Sequence, residues 1–141
     1  MALSAVSAAV EGRLTAWSAA LTGRPPVRGL NTQDAETPAD NSAYLEVHYP
    51  VSTSEQISMG APGANVWRDE GAFRVLLNVE SGSGVVGALA LVDEIAALFR
   101  GKNFDGVRCF APSQPVIDDR NDAGGWFTLS FAVPYDHDII A

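Results

Sequence analysis

Leu3, Val6, Val10, Leu14, Trp17 and Leu21 recur at steps of three and four. That spacing lines them along one face of a helix, with Glu11 and Arg13 elsewhere on its surface. Gly23 and the following Arg24-Pro25-Pro26 supply the stop. The stretch from Val27 to Asn41 has few large apolar residues and reads as a surface connection. Beyond it the period changes. Ala43, Leu45, Val47 and Tyr49 alternate with Tyr44, Glu46 and His48, the signature of a half-buried strand. Pro50 ends that strand or marks it as an edge. A second strand is expected from Val66 to Val79, where Phe73, Val75, Leu77 and Val79 share a face. Between the two, Ser52 to Asn65 is too long for a tight turn. Its Glu55-Gln56-Ile57-Ser58-Met59 segment predicts an extension of both strands into a projecting hairpin.

Ser81-Gly82-Ser83-Gly84 breaks the second strand, and a second helix follows. Val85, Leu89, Val92, Ile95 or Ala96, and Phe99 form its apolar stripe, and Gly101 is its cap. The remainder predicts strands at Val107 to Phe110, Gln114 to Asp119 and Trp126 to Val133. The turn Asn121-Asp122-Ala123-Gly124-Gly125 joins the last two as a hairpin. Helix, two strands, helix and two or three further strands make an α+β fold. The expected architecture is a mainly antiparallel sheet of four to five strands, with two helices packed on one face and a projecting β-hairpin. It forms a single domain over residues 1–141, in which 27–41 is a surface connection and 135–141 a C-terminal tail.

Composition narrows the function more than the fold. With 141 residues, 47% of them hydrophobic, the chain can build one core. Only 18% are charged, below the usual level of about 25%. A surface so poor in charge fits a protein covered by neighbours. The net charge is −8, from 17 acidic and 9 basic residues, and the basic ones are scattered from Arg13 to Arg120. Gripping a phosphate backbone takes clustered Lys and Arg, so nucleic-acid binding is disfavoured. Acidity serves solubility, or a channel through which DNA slides without sticking. Cys109 is the only cysteine, which excludes an intrachain disulfide and a cysteine metal cluster. No apolar run approaches the roughly 20 residues that span a bilayer, so no membrane partner is expected. The N-terminal segment lacks the features of a secretory signal, which implies synthesis and use in the cytoplasm or in a particle assembled there.

Several strings imitate active sites. Gly82-Ser83-Gly84-Val85-Val86-Gly87 matches G-x-G-x-x-G between a predicted strand and a predicted helix. However, the acidic residue expected after the next strand is missing, and the rest of the chain supplies hairpins in place of βαβ units. The string is better read as a flexible turn. Asp118-Asp119-Arg120-Asn121-Asp122-Ala123-Gly124 resembles a calcium loop, but Ala123 and Ser130 stand where ligands are needed. It too reads as a solvated turn. His48 and His137 have no metal-ligand spacing, and no nucleophile motif is present. No catalytic, cofactor or metal residue is therefore expected. Trp17, Trp67 and Trp126 read as packing residues, although Trp67, at the strand's start beside Arg68-Asp69-Glu70-Gly71, also suits an interface rim.

The set of elements resembles the tail terminator, or tail completion, proteins of long-tailed bacteriophages. It is carried by the helix Leu3 to Leu21, the strand Ala43-Tyr44-Leu45-Glu46-Val47, Glu55-Gln56-Ile57-Ser58-Met59-Gly60 and Gly71-Ala72-Phe73-Arg74-Val75. The Gly-Ser turn, the helix to Phe99 and the closing Gly125-Trp126-Phe127 to Pro134-Tyr135 strand complete it. The resemblance implies a non-enzymatic virion protein of the tail or neck, assembled in the bacterial cytoplasm. It implies a hexameric ring that caps the tail tube protein, stops its polymerisation and meets the head-side connector, while genomic DNA passes through unbound. It carries no catalytic residues. Interface residues are chosen on physical grounds: Ile57 and Met59 on the hairpin, Trp67, and Tyr135, Ile139 and Ile140 near the end. The competing readings are a head-completion or neck connector protein, a small nucleotide-binding enzyme and a generic homo-oligomeric binding module.

Overall fold

The structure is a computed structural model that describes residues 3–29, 42–116, 122–123 and 125–141. Helix α1 spans Leu3–Ala20 and α2 spans Val86–Phe99. The strands are β1 (Val27–Arg28), β2 (Tyr44–Gln56), β3 (Val66–Glu80), β4 (Asn103–Phe104), β5 (Val107–Cys109), β6 (Asp122–Ala123) and β7 (Trp126–Ile140). They form one sheet in the order β1-β2-β3-β7-β5-β4, with β6 paired to β7.

The α+β class holds, and the sheet is larger than expected. It has seven strands instead of four or five, and β1 runs parallel to β2. The additional members, β1, β4 and β6, are two-residue strands, too short to leave a periodic signal in the chain, while β5 falls within the strand expected at Val107 to Phe110. Val27 and Arg28, expected in a surface connection, pair with Leu45 and Glu46; residues 30–41 of that connection lie outside the described residues. The strand expected at Gln114 to Asp119 is an extended run beside β7 without a continuous ladder. Ser113 N–H donates to Ala132 O at 2.8 Å and Val116 N–H to Ser130 O at 3.2 Å; residues 117–119 lie outside the described set.

Alternation decides the core. Leu45 and Val47 of β2, Phe73, Val75, Leu77 and Val79 of β3, and Leu129, Phe131, Val133 and Tyr135 of β7 share one face and are buried. Val6, Val10, Leu14 and Trp17 of α1 and Val92, Ile95, Ala96 and Phe99 of α2 join them in a single cluster. Phe73 sits at the centre, edge-on to Phe99 with ring centroids 5.1 Å apart. The helices run antiparallel: Arg13 Nε donates to Leu98 O at 2.8 Å, and Arg24 lies 3.8 Å from Glu94.

Pro50 does not end β2. The register slips between His48 and Val51, so Tyr49 and Pro50 bulge opposite Phe73, and the ladder resumes from Val51 to Gln56. A bulge is where a strand tolerates a residue without an N–H. Beyond it β2 is exposed on both sides, because β1 pairs only at Leu45 and Glu46. The projecting part is therefore not a two-stranded hairpin. β7 continues through Ile140, paired residue for residue with β3 back to Val66, so a three-stranded wing of β2, β3 and β7 extends beyond the core cluster, with Leu3 at the start of α1 against its inner face. Reciprocal hydrogen bonds of Asn65 and Ala141, at 3.1 and 2.9 Å, close its far end.

Candidate functional site

The wing presents two different faces. On the side continuous with the core, Trp67 and Asp69 of β3 and Ile139 of β7 lie at the positions that alternation assigns to the apolar face. With Leu3 of α1 and Ser52 and Ser54 of β2 they line a groove of about 380 Å³. Trp67 is held in place by its indole N–H, which donates to Ala141 O at 3.2 Å. Asp69 is only 7% exposed, and its carboxylate makes no hydrogen bond or ion pair with any described residue.

The opposite face carries a charged lattice. Arg68 donates from Nε and Nη2 to the two carboxylate oxygens of Asp138, at 2.8 and 3.0 Å. Arg108 of β5 bonds Asp136 and reaches Asp138 at 3.2 Å. These four residues occupy cross-strand positions on β3, β7 and β5, so the lattice braces the base of the wing. Glu46 accepts from Arg28 at 3.3 Å and lies 3.1 Å from His48 Nε2 on the same face. The charges are thus mostly matched in place, which fits bracing more than ligand capture.

Hydrogen bonding from Arg68 lowers the Asp138 carboxyl below its ordinary value. A depressed carboxyl stabilises the fold above its unfolded pKa of about 3.9 and loses that contribution as pH falls through the lower folded value. Thermal unfolding followed from pH 6 to pH 3 should show this as part of the acid sensitivity. Asp138→Asn should melt lower at neutral pH and fall less steeply with acid. Both partners are a third exposed, so the effect will be small. Equal slopes for the two proteins would show that the pair contributes nothing.

The six residues selected from the sequence separate in the fold. Trp67 and Ile139 meet in the groove. Ile140, 77% exposed, points to the other face. Ile57 and Met59 lie beyond β2 in the connection at the wing's tip, 45% and 99% exposed. Tyr135 stands apart as a core residue, 2% exposed and 6.1 Å from Phe73 between ring centroids. Sequence reading passed over Asp69, although the signal was present: Trp67, Asp69, Gly71 and Phe73 share one parity, which puts a carboxylate on the apolar face.

The Gly-rich imitation motif is accounted for structurally, whereas residues 118–121 and 124 of the calcium-like string lie outside the described residues. Gly82 and Gly84 take φ values of 86° and 81° in the turn between β3 and α2. β3 is antiparallel to both neighbours, so no βαβ unit surrounds the turn, as a dinucleotide site would need. His48 and His137 face opposite sides of the sheet. Burial pushes the Cys109 thiol up to about 11, away from reactive thiolate. Among the described residues no cluster of His, Cys, Asp and Glu could hold a metal ion, and no helix is long and apolar enough to cross a membrane.

A second surface lacks charge. The outward positions of α1 include Ala5, Ala8, Gly12, Thr15, Ala16 and Ala19, where an exposed helix normally carries charged groups. Exposed small residues on the helix and exposed apolar residues at the wing describe a protein that works through contacts with other proteins. A family model for the phage tail terminator protein matches residues 5–135, and the chain belongs to that family. It is therefore a structural component of a bacteriophage tail, acting among other tail components. A solved structure whose name states no function is similar at a TM-score of 0.65 and 26% identity, over 100% of this chain and 99% of the other. No curated protein matches the chain.

Proposed function

We propose that this protein forms a ring, hexameric by the family resemblance, that caps the tail tube, stops its polymerisation and joins it to the head-side connector. The observation that carries this reading is the wing: three strands standing clear of the core, with Ile57 and Met59 exposed at the tip. A rigid projection of this kind can lie on an adjacent subunit, and contacts between unlike surfaces close into a ring when the rotation per subunit is right. The net charge of −8 would keep the central channel from holding the DNA that passes through it. Assembly takes place in the bacterial cytoplasm, and no catalytic step is assigned.

The deciding experiment is electron microscopy of particles from a phage lacking this gene. Tails of excessive, uncontrolled length without heads establish the terminator role. Free tails of normal length beside filled heads move the protein to the head side, as a completion or connector protein.

Changing Ile57 and Met59 together to Asp should impair assembly while leaving the thermal midpoint of the isolated protein nearly unchanged. Their exposure means that little apolar burial is lost. Normal assembly by the double variant would remove the tip from the contact.

A further inference from the structure

Asp69 is a buried acidic residue on the apolar face of the wing, open to the groove. The residue is only 7% exposed, its cross-strand neighbour is the buried His137, and no described residue gives its carboxylate a hydrogen bond or an ion pair, a costly arrangement for a charge unless a cation compensates it. The groove around it has the shape of a socket for a long basic side chain. Trp67, Ile139 and Leu3 offer apolar walls for a methylene stem, the Trp67 ring favours a cation, and the carboxylate is the terminus.

The same chain carries a group that matches. Among the described residues, only Arg74, Arg100 and Lys102 are basic side chains with no hydrogen bond, ion pair or ring contact. Arg74 is exposed on the open face of the sheet, between His48 and Ala132 on the central strand and away from both sheet edges. Arg100 and Lys102 flank Gly101, φ 63°, in the exposed turn that ends α2 and enters β4.

Register puts socket and turn on one line. Cys109 N–H donates to Lys102 O at 2.9 Å, and Cys109 pairs with Tyr135, Tyr135 with Gly71, and Gly71 with Ser52. Lys102 and Ser52 therefore end the same row across the sheet, at its β4 and β2 edges. A plug at one edge and a socket at the same level on the other is the arrangement that repeats from copy to copy around an axis.

We infer that in the assembled ring the Arg100–Lys102 turn of one copy seats in the groove at the β2 edge of the next, with the Lys102 ammonium on the Asp69 carboxylate. The occupant is a second copy of this chain, so the inference rests on the ring reading above.

The test is charge exchange in the phage, scored by plaque formation and by electron microscopy of tail ends. Asp69→Lys and Lys102→Asp should each abolish plaques, and the double exchange should restore them. Because Asp69→Lys buries a charge, each variant's cooperative thermal unfolding is measured alongside. Cross-linking serves as an independent arm: Ser54→Cys with Lys102→Cys, oxidised on purified particles, should give a ladder of covalent oligomers. Terminal rings that neither regain function on exchange nor cross-link overturn the plug and socket while leaving the ring intact. Tail ends with no ring of this chain overturn both readings, and the micrographs separate the two outcomes.

Discussion

Replacing Phe73 by alanine is expected to lower the unfolding free energy by about 3–5 kcal/mol, the range for truncating a fully buried aromatic. Phe73 is completely buried at the centre of the sheet face and packs against the rings of Phe99 and Tyr135. It joins β3 to α2 and to β7 in one contact set, so its loss opens a cavity where three elements meet. Domains of this size are stable by about 5–15 kcal/mol, so the substitution removes from roughly a fifth of that margin to all of it. Urea denaturation followed by circular dichroism measures this directly. A loss below about 1 kcal/mol would mean that the neighbouring rings collapse into the space, and that the core is less closely packed than the structure describes.

Gly71→Ala should be nearly as damaging, for a different reason. A Cβ built at position 71 would lie 2.2 Å from Val51 O, 3.0 Å from Ser52 Cα and 3.1 Å from the Tyr135 hydroxyl. The first two atoms are backbone of the bulged strand, so β2 has to move for the methyl to fit. Overpacking of this kind costs about 1–3 kcal/mol. Here the cost should concentrate where β2 leaves the core: amide hydrogen exchange should accelerate across Val51 to Gln56 more than across Leu45 and Val47. Gly87→Ala is the control. No atom lies within 4 Å of a Cβ there, and alanine is the better helix former by up to about 1 kcal/mol. It should be neutral or stabilising. Unchanged exchange in the Gly71 variant would show that the bulge has slack, and that the wing is held by β7 alone.

The contrast between Asp69 and Tyr135 shows how much of the candidate site could be read in advance. Tyr135 follows Pro134 near the end of the chain, where local reading expected a tail. In the fold β7 continues through it, and pairing with Gly71 places it over the core beside Phe73. Ile139 and Ile140, consecutive apolar residues, go to opposite faces because the strand continues, so only Ile139 reaches the groove. Trp67 stands at the start of β3, a local property that the strand period records, and it lines the groove. Ile57 and Met59 remained exposed because no element packs over the wing's tip.

By itself the sequence determined both helices, the three long strands and the face each turns to the core. Those properties follow from the 3.6- and 2-residue periods, which the chain writes locally. It also carried the family, through the order of those elements. Tertiary structure alone decided the parallel β1, the short β4 on the far edge, the pairing of β5 with β7, the bulge that carries β2 past Pro50, and the length of β7 beyond Pro134. It also decided that Asp69 is buried without a partner and that Lys102 lies in the row of Ser52. Pairing between residues tens of positions apart sets each of these, and no local period records which strand lies beside which or where an edge is left open.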